Sequence, residues 1–154
     1  MSAVADSERM VMHRSDRQRT LAREVTVRGR GLLTGHEVEL VIAPAPAGPG
    51  IIFERTDLKP TISAPASVHH VVPRQRRTTL RIGTETIETV EHCLSALAGL
   101  RIDNAFLRLS GPELPLGDGS ATPFTEKLLE AGFAEQDEPC RVFHLDAPIL
   151  VEEG

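Results

Sequence analysis

The chain has 154 residues, 40% of them hydrophobic and 25% charged, which suits one soluble globular domain with a real core and is small for two. Its 17 Lys+Arg against 22 Asp+Glu give a formal charge of −5, and aromatics are 3% with no Trp or Tyr. This excludes the basic footprint and the base-stacking platform of a nucleic-acid binder. Cys93 and Cys140 make neither a disulfide framework nor a C-x-x-C pair, no apolar run is long enough to cross a bilayer, and the N-terminus lacks the apolar stretch of a secretory signal. These features point to the cytoplasm.

Residues 1–16 are polar and without period, and are expected to be a disordered extension. Leu21 to Val27 reads as a strand with Val25 and Val27 on one face. R-G-R-G-L-L-T-G (28–35) reads as a hairpin loop, lacking the spacing of a phosphate-binding fingerprint, and Val38, Leu40 and Ile42 alternate in the returning strand. Pro44, Pro46 and Pro49 end that strand, and Ile51 to Arg55 restarts a short buried one.

Ser67 to Val72 is expected to be a strand carrying His69 and His70, which would then face opposite ways and could not share one metal. Arg74, Arg76, Arg77 and Arg81 form the one basic cluster. It reads either as an exposed, solubilising edge or as a site for an anionic group such as a diphosphate. Thr79 to Ile82 is a strand, and Gly83-Thr84 a turn.

The next segment, E-T-I-E-T-V-E-H-C-L-S-A-L-A-G-L-R-I-D-N (85–104), places a carboxylate beside an imidazole at the head of a helical pattern. Thr89 is expected as the N-cap, Glu91 and His92 in the first turn, Leu94, Leu97 and Ala98 toward the core, and Gly99 near the end. Adjacent helix residues point about 100° apart. Glu91 therefore would not chelate an ion held by His92, but could reach water bound to it as a general base, a role typically worth about 10²–10⁴ in rate. A catalytic zinc needs about three protein ligands. On spacing alone a structural role for the pair outweighs this, because an acid in the first turn suits the helix dipole and one ligand is not a site. Cys93 reads as a small core residue.

Ala105 to Leu109 alternates as a strand, and a Pro/Gly-rich loop then leads to a second helix with Thr122 as N-cap, Pro123 at its first position, Phe124 and Leu128 one turn apart, and Gly132 as its stop. Asp118 and Ser120 read equally well as substrate contacts or as turn and cap residues. Val142 to Val151 is expected to add one or two strands. The pattern is that of an α+β domain, an antiparallel sheet with a helical layer on one face.

L-L-T-G, R-T-D-L, T-V-E-H-C-L-S-A-L, L-R-I-D-N and E-L-P-L-G-D-G-S-A-T-P-F, taken in order and register over 17–137, resemble the bacterial UDP-3-O-acyl-N-acetylglucosamine deacetylases, zinc enzymes of lipid A synthesis. The resemblance reverses the balance at the helix head, implying Glu91 as general base and His92 as a Zn2+ ligand. It implies the first half of a two-domain β-α-α-β sandwich, with domain I at 17–137 and the start of domain II at 138–154. The substrate implied is a UDP-linked acylated glucosamine, from which acetate is removed. Leu33 stands where the family usually has histidine, and Gly117 where it usually has an apolar residue.

The family's second zinc histidine and its aspartate come from an H-K-x-x-D segment of domain II, as does a further acid histidine. No such segment occurs here; His144 and Asp146 are only two apart. Glu88 is a substitute ligand only if it lies on the helix. Three readings follow: the N-terminal half of the deacetylase, a split enzyme completed by a second-domain polypeptide, or a non-catalytic UDP-sugar-binding or assembly module using Arg76, Arg77 and Thr79.

Overall fold

The computed structural model describes residues 17–140 and 147–151, so the expectations for 1–16 and for 142–146 lie outside the described residues. Alternation with period two builds the main sheet. β2 (Val25–Arg30), β3 (Glu37–Pro44), β4 (Ile51–Arg55), β5 (Ile62–Pro65) and β9 (Ala105–Leu109) assemble in the order β2-β3-β9-β4-β5. Register puts Val25 opposite Ile42, Val27 opposite Leu40, Ile42 opposite Leu107, and Phe53 opposite Leu107 on the other side. All of these side chains are buried, so one sheet face is a continuous apolar layer. The opposite face carries charges, and Arg108 pairs with Glu54 across neighbouring strands at 3.1 Å.

The α+β class stands, with one difference in the sheet: β4 runs parallel to β9 while every other pair is antiparallel. The cause is the long connection from Arg55 to Ala105, long enough for the crossover that parallel strands require. That connection holds a second, antiparallel sheet of β6 (Val71–Val72), β7 (Thr79–Ile82) and β8 (Glu85–Ile87), followed by α1 (Glu91–Gly99).

The expected strand at 67–72 is instead a 3₁₀ turn, Val68–His70, before the two-residue β6. Ser67 accepts the His69 N–H and diverts the chain from extended pairing. The expected strand at 21–27 is two strands, because β1 (Arg17–Leu21) leaves the main sheet to pair with β10 (Phe133–Pro139). β10 ends at Pro139, and the described part of the tail, 147–151, forms no strand.

α1 and α2 (Thr122–Ala131) cover the apolar face, α2 packing on α1 and on β2. α1 buries Cys93, Ala96 and Leu97, leaves Leu94 partly buried and exposes Ala98, so its inward stripe lies to one side of the expected Leu94–Leu97–Ala98 set. Val90, Cys93 and Leu97 follow one another at near-integral turns, and all three are buried. Burial pushes the Cys93 thiol up to about 12, which makes it an inert core residue. α2 begins one residue earlier than its Thr122 cap predicts: Ala121 is the cap, Thr122 lies inside the helix, and Gly132 ends it at φ 69°.

Candidate active site at the head of α1

Glu91 and His92 occupy the first turn of α1, half-buried, on a helix whose lower turns are fixed in the core. Thr89 does not cap this helix. It adopts φ 61°, in the left-handed region, and its hydroxyl donates to Glu113 Oε1 at 3.2 Å instead of turning back to the helix N–H groups. Glu91 Oε2 accepts the Thr78 N–H at 3.0 Å, and the Val90 N–H reaches the Thr78 carbonyl at 3.3 Å, so the strand entering β7 buttresses the helix head from one side. The carboxylate also stands at the positive end of the helix dipole, where negative charge is favoured.

Glu88 is not on the helix. Its backbone bridges to Glu113, and its carboxylate accepts the Arg77 Nε–H at 2.7 Å, the Thr79 hydroxyl at 2.6 Å and the Thr86 hydroxyl at 3.0 Å. Those contacts commit its carboxylate to the β7–β8 sheet, off the helix that carries His92, so the condition for its being a substitute ligand is not met. They also account for two residues expected at a substrate: Thr79 is fully buried with its hydroxyl given to Glu88, and Arg77 is committed to the same carboxylate. Arg76 is exposed, at φ 60°. Asp118 accepts both the N–H and hydroxyl of Ser120, whose oxygen accepts the Thr122 N–H, so the pair serves the turn and the start of α2. The Ser120 hydroxyl and N–H hold Asp118 below the usual carboxylate range, the His92 imidazole adding to the effect across the loop.

Among the described residues no three His, Cys, Asp or Glu side chains converge on a point that could hold a metal. The donor set for a catalytic zinc is therefore not complete within these residues, and His92 is the one candidate at the helix head.

Sequence reasoning missed Glu113, a carboxylate only 1% exposed. It accepts the Leu33 N–H at 2.9 Å, the Thr34 N–H at 2.9 Å and the Thr34 hydroxyl at 3.0 Å, besides Thr89. Burial pushes up both the Glu88 and Glu113 carboxyls. The donors around each outweigh it and leave both below their ordinary values. A depressed folded-state value means that the folded chain binds fewer protons than the unfolded one. The stability these groups contribute is then complete above the unfolded value, about 4.3, and lost as pH falls through the lower folded value. Urea midpoints are expected to hold from about pH 7 to about pH 5 and to drop by about pH 3; a midpoint unchanged at the acid end would count against both networks.

The UDP-3-O-acyl N-acetylglycosamine deacetylase (LpxC) family matches residues 18–154. The chain belongs to this family. LpxC relatives are similar across the same span: the bifunctional enzyme LpxC/FabZ of Chlorobaculum tepidum is 50% identical over 132 residues, covering 86% of this chain and 28% of the relative. The UDP-3-O-acyl-N-acetylglucosamine deacetylases of Bdellovibrio bacteriovorus and Pseudomonas entomophila are 42% and 44% identical, covering 89% and 90% of this chain and 45% and 46% of theirs. The chain thus spans less than half the length of these LpxC relatives. No helix among the described residues is long and apolar enough to cross a membrane.

Proposed function

We propose that this chain is the first half of a zinc-dependent amide hydrolase that removes acetate from UDP-3-O-acyl-N-acetylglucosamine, the committed step of lipid A synthesis, in the cytoplasm. The observation that supports this best is the Glu91-His92 pair, presented at the tip of a core-anchored helix in a chain of the LpxC family. Glu91 accepts the proton of the water that attacks the acetamide carbonyl, its free oxygen being available while Oε2 is steadied by the Thr78 N–H. His92 is one zinc ligand and the others come from outside the described residues, since the described ones supply no set of three. The Lewis acidity that zinc contributes when bound depends on that complete set. Arg76, exposed two residues before the Thr78 that meets the helix head, is assigned to the UDP diphosphate; Arg77 and Thr79 support it by holding Glu88.

The helical layer fits this reading. Among the described residues Leu129 is 56% exposed and Ala98 is exposed, apolar helix positions that a second sheet-and-helix half would cover.

The test is zinc content and acetate release for residues 1–154, alone and mixed with a polypeptide carrying the second half of the family's sequence. Zinc and activity in the mixture only are expected. Stoichiometric zinc on the chain alone would show that the ligand assignment is incomplete, and neither zinc nor activity in the mixture would leave a UDP-sugar-binding module as the better reading.

A further inference from the structure

Glu113 stands out among the acidic residues described because it alone is sealed from solvent, and no Lys or Arg there balances it. An uncompensated buried carboxylate is unfavourable, so its persistence requires donors placed to receive it. These come from two separate parts of the chain. One is the glycine loop, whose Leu33 and Thr34 N–H groups and Thr34 hydroxyl all point at the carboxylate. The loop wraps so closely that a Cβ on Gly31 would overlap Glu113 Oε2, which explains a glycine there. The other is Thr89, three residues ahead of His92.

Thr89 is β-branched and yet left-handed, a conformation such a residue adopts only when its surroundings enforce it. The enforcement is visible on both sides. Before it, the Glu88 N–H donates to the Pro112 carbonyl at 2.9 Å and the Glu88 carbonyl accepts the Leu114 N–H at 3.2 Å; after it, the Val90 N–H donates to the Thr78 carbonyl at 3.3 Å, while Glu113 takes the hydroxyl. Chain direction at Thr89 decides where α1 begins, and so where Glu91 meets the Thr78 N–H and where His92 points.

We propose that Glu113 is a positioning residue of this site: by fixing Thr89 in its left-handed conformation it aims Glu91 and His92, and the same carboxylate ties the glycine loop to Thr89. This rests on the deacetylase reading above for its effect on turnover, but not for its effect on the helix head. A misplacement on the order of 1 Å at a reacting group can lower turnover roughly 10²-fold.

Four variants test it: Thr89→Ser, which keeps the hydroxyl; Thr89→Val, which removes it at constant shape; Glu113→Gln; and Thr89→Val with Glu113→Gln. In the chain complemented by its second half, Thr89→Val and Glu113→Gln are each expected to lower kcat about 10–100-fold with KM little changed. Thr89→Ser should stay near the unsubstituted value, and the double variant should fall short of the product of the two single losses, as for residues sharing one contact. Backbone amide and His92 ring resonances of the 154-residue chain by itself supply the arm that needs no activity. Shifts at Glu91 and His92 in Thr89→Val and Glu113→Gln, absent in Thr89→Ser, support the proposal even if the unsubstituted mixture proves inactive, in which case only the deacetylase reading fails. Shifts confined to 31–35 and 113, or losses of kcat that multiply in the double variant, overturn it. Should Glu113→Gln not fold, the Thr89 pair decides by the same criteria.

Discussion

Glu91→Gln is expected to lower acetate release by about 10²–10⁴ in the chain complemented by its second half, the range lost with a general base. Glutamine is chosen because its amide oxygen can still accept the Thr78 N–H that Glu91 Oε2 accepts at 3.0 Å, so the head of α1 keeps its buttress. What disappears is the capacity to take a proton. The loss should fall on kcat and kcat/KM together. Zinc content should not change, since an adjacent helix residue points about 100° away from His92. A variant that retained turnover within a few-fold, at unchanged zinc content, would remove Glu91 from the role.

The adjacency of Glu91 and His92 could be read from T-V-E-H because a helix head needs only local sequence to be recognised. The surroundings could not. Glu113 reads as one more polar residue in a Pro/Gly-rich loop, since a sequence does not show that a carboxylate is buried, and its partners lie about 80 residues away in the glycine loop and 24 away at Thr89. Thr89 misled for a related reason. A threonine before a helical run is ordinarily a cap, but here its hydroxyl goes to that distant carboxylate.

The same division runs through the fold. β3, β4, β7 and β9 were legible because one face of each is buried and alternation follows. β5 and β10, with I-S-A-P and F-A-E-Q-D-E-P, have little or no such face, and the buried face of β1, R-Q-R-T-L, carries polar Gln18 and Thr20; they are strands because of what they pair with, as Leu21 does with Phe133. The parallel β4–β9 pair was likewise invisible, because direction depends on the path of the intervening chain rather than on either strand.

Asn104→Leu is expected to destabilise the chain by about 2–4 kcal/mol, the penalty of removing the partner of part-buried donors and acceptors. Asn104 is 1% exposed, and its one amide meets four partners. Oδ1 accepts the Gly48 N–H at 3.1 Å and the Gly50 N–H at 2.9 Å, while Nδ2 donates to Gln18 Oε1 and Gln136 Oε1, both at 2.8 Å. Gln18 lies on β1 and Gln136 on β10, so a single side chain ties the two-stranded ribbon to the turn entering β4 and to the start of β9. Leucine fills the volume but leaves the Gly50 N–H and Gln136 Oε1 without this partner, while the Gly48 N–H and Gln18 Oε1 keep only each other, at 3.0 Å. The ribbon keeps other anchors, among them the Asp103 N–H to the Arg19 carbonyl at 2.8 Å and Gln136 Nε2 to the Ala45 carbonyl at 2.8 Å, so the local loss should centre on the 48–50 turn, whose amides should exchange with solvent faster than those of β3 and β9 in the variant, beyond the drop in the global urea midpoint. A midpoint shift under about 1 kcal/mol would mean that water replaces the amide at little cost, and the D-N of L-R-I-D-N would then need another explanation than the joining of ribbon to sheet.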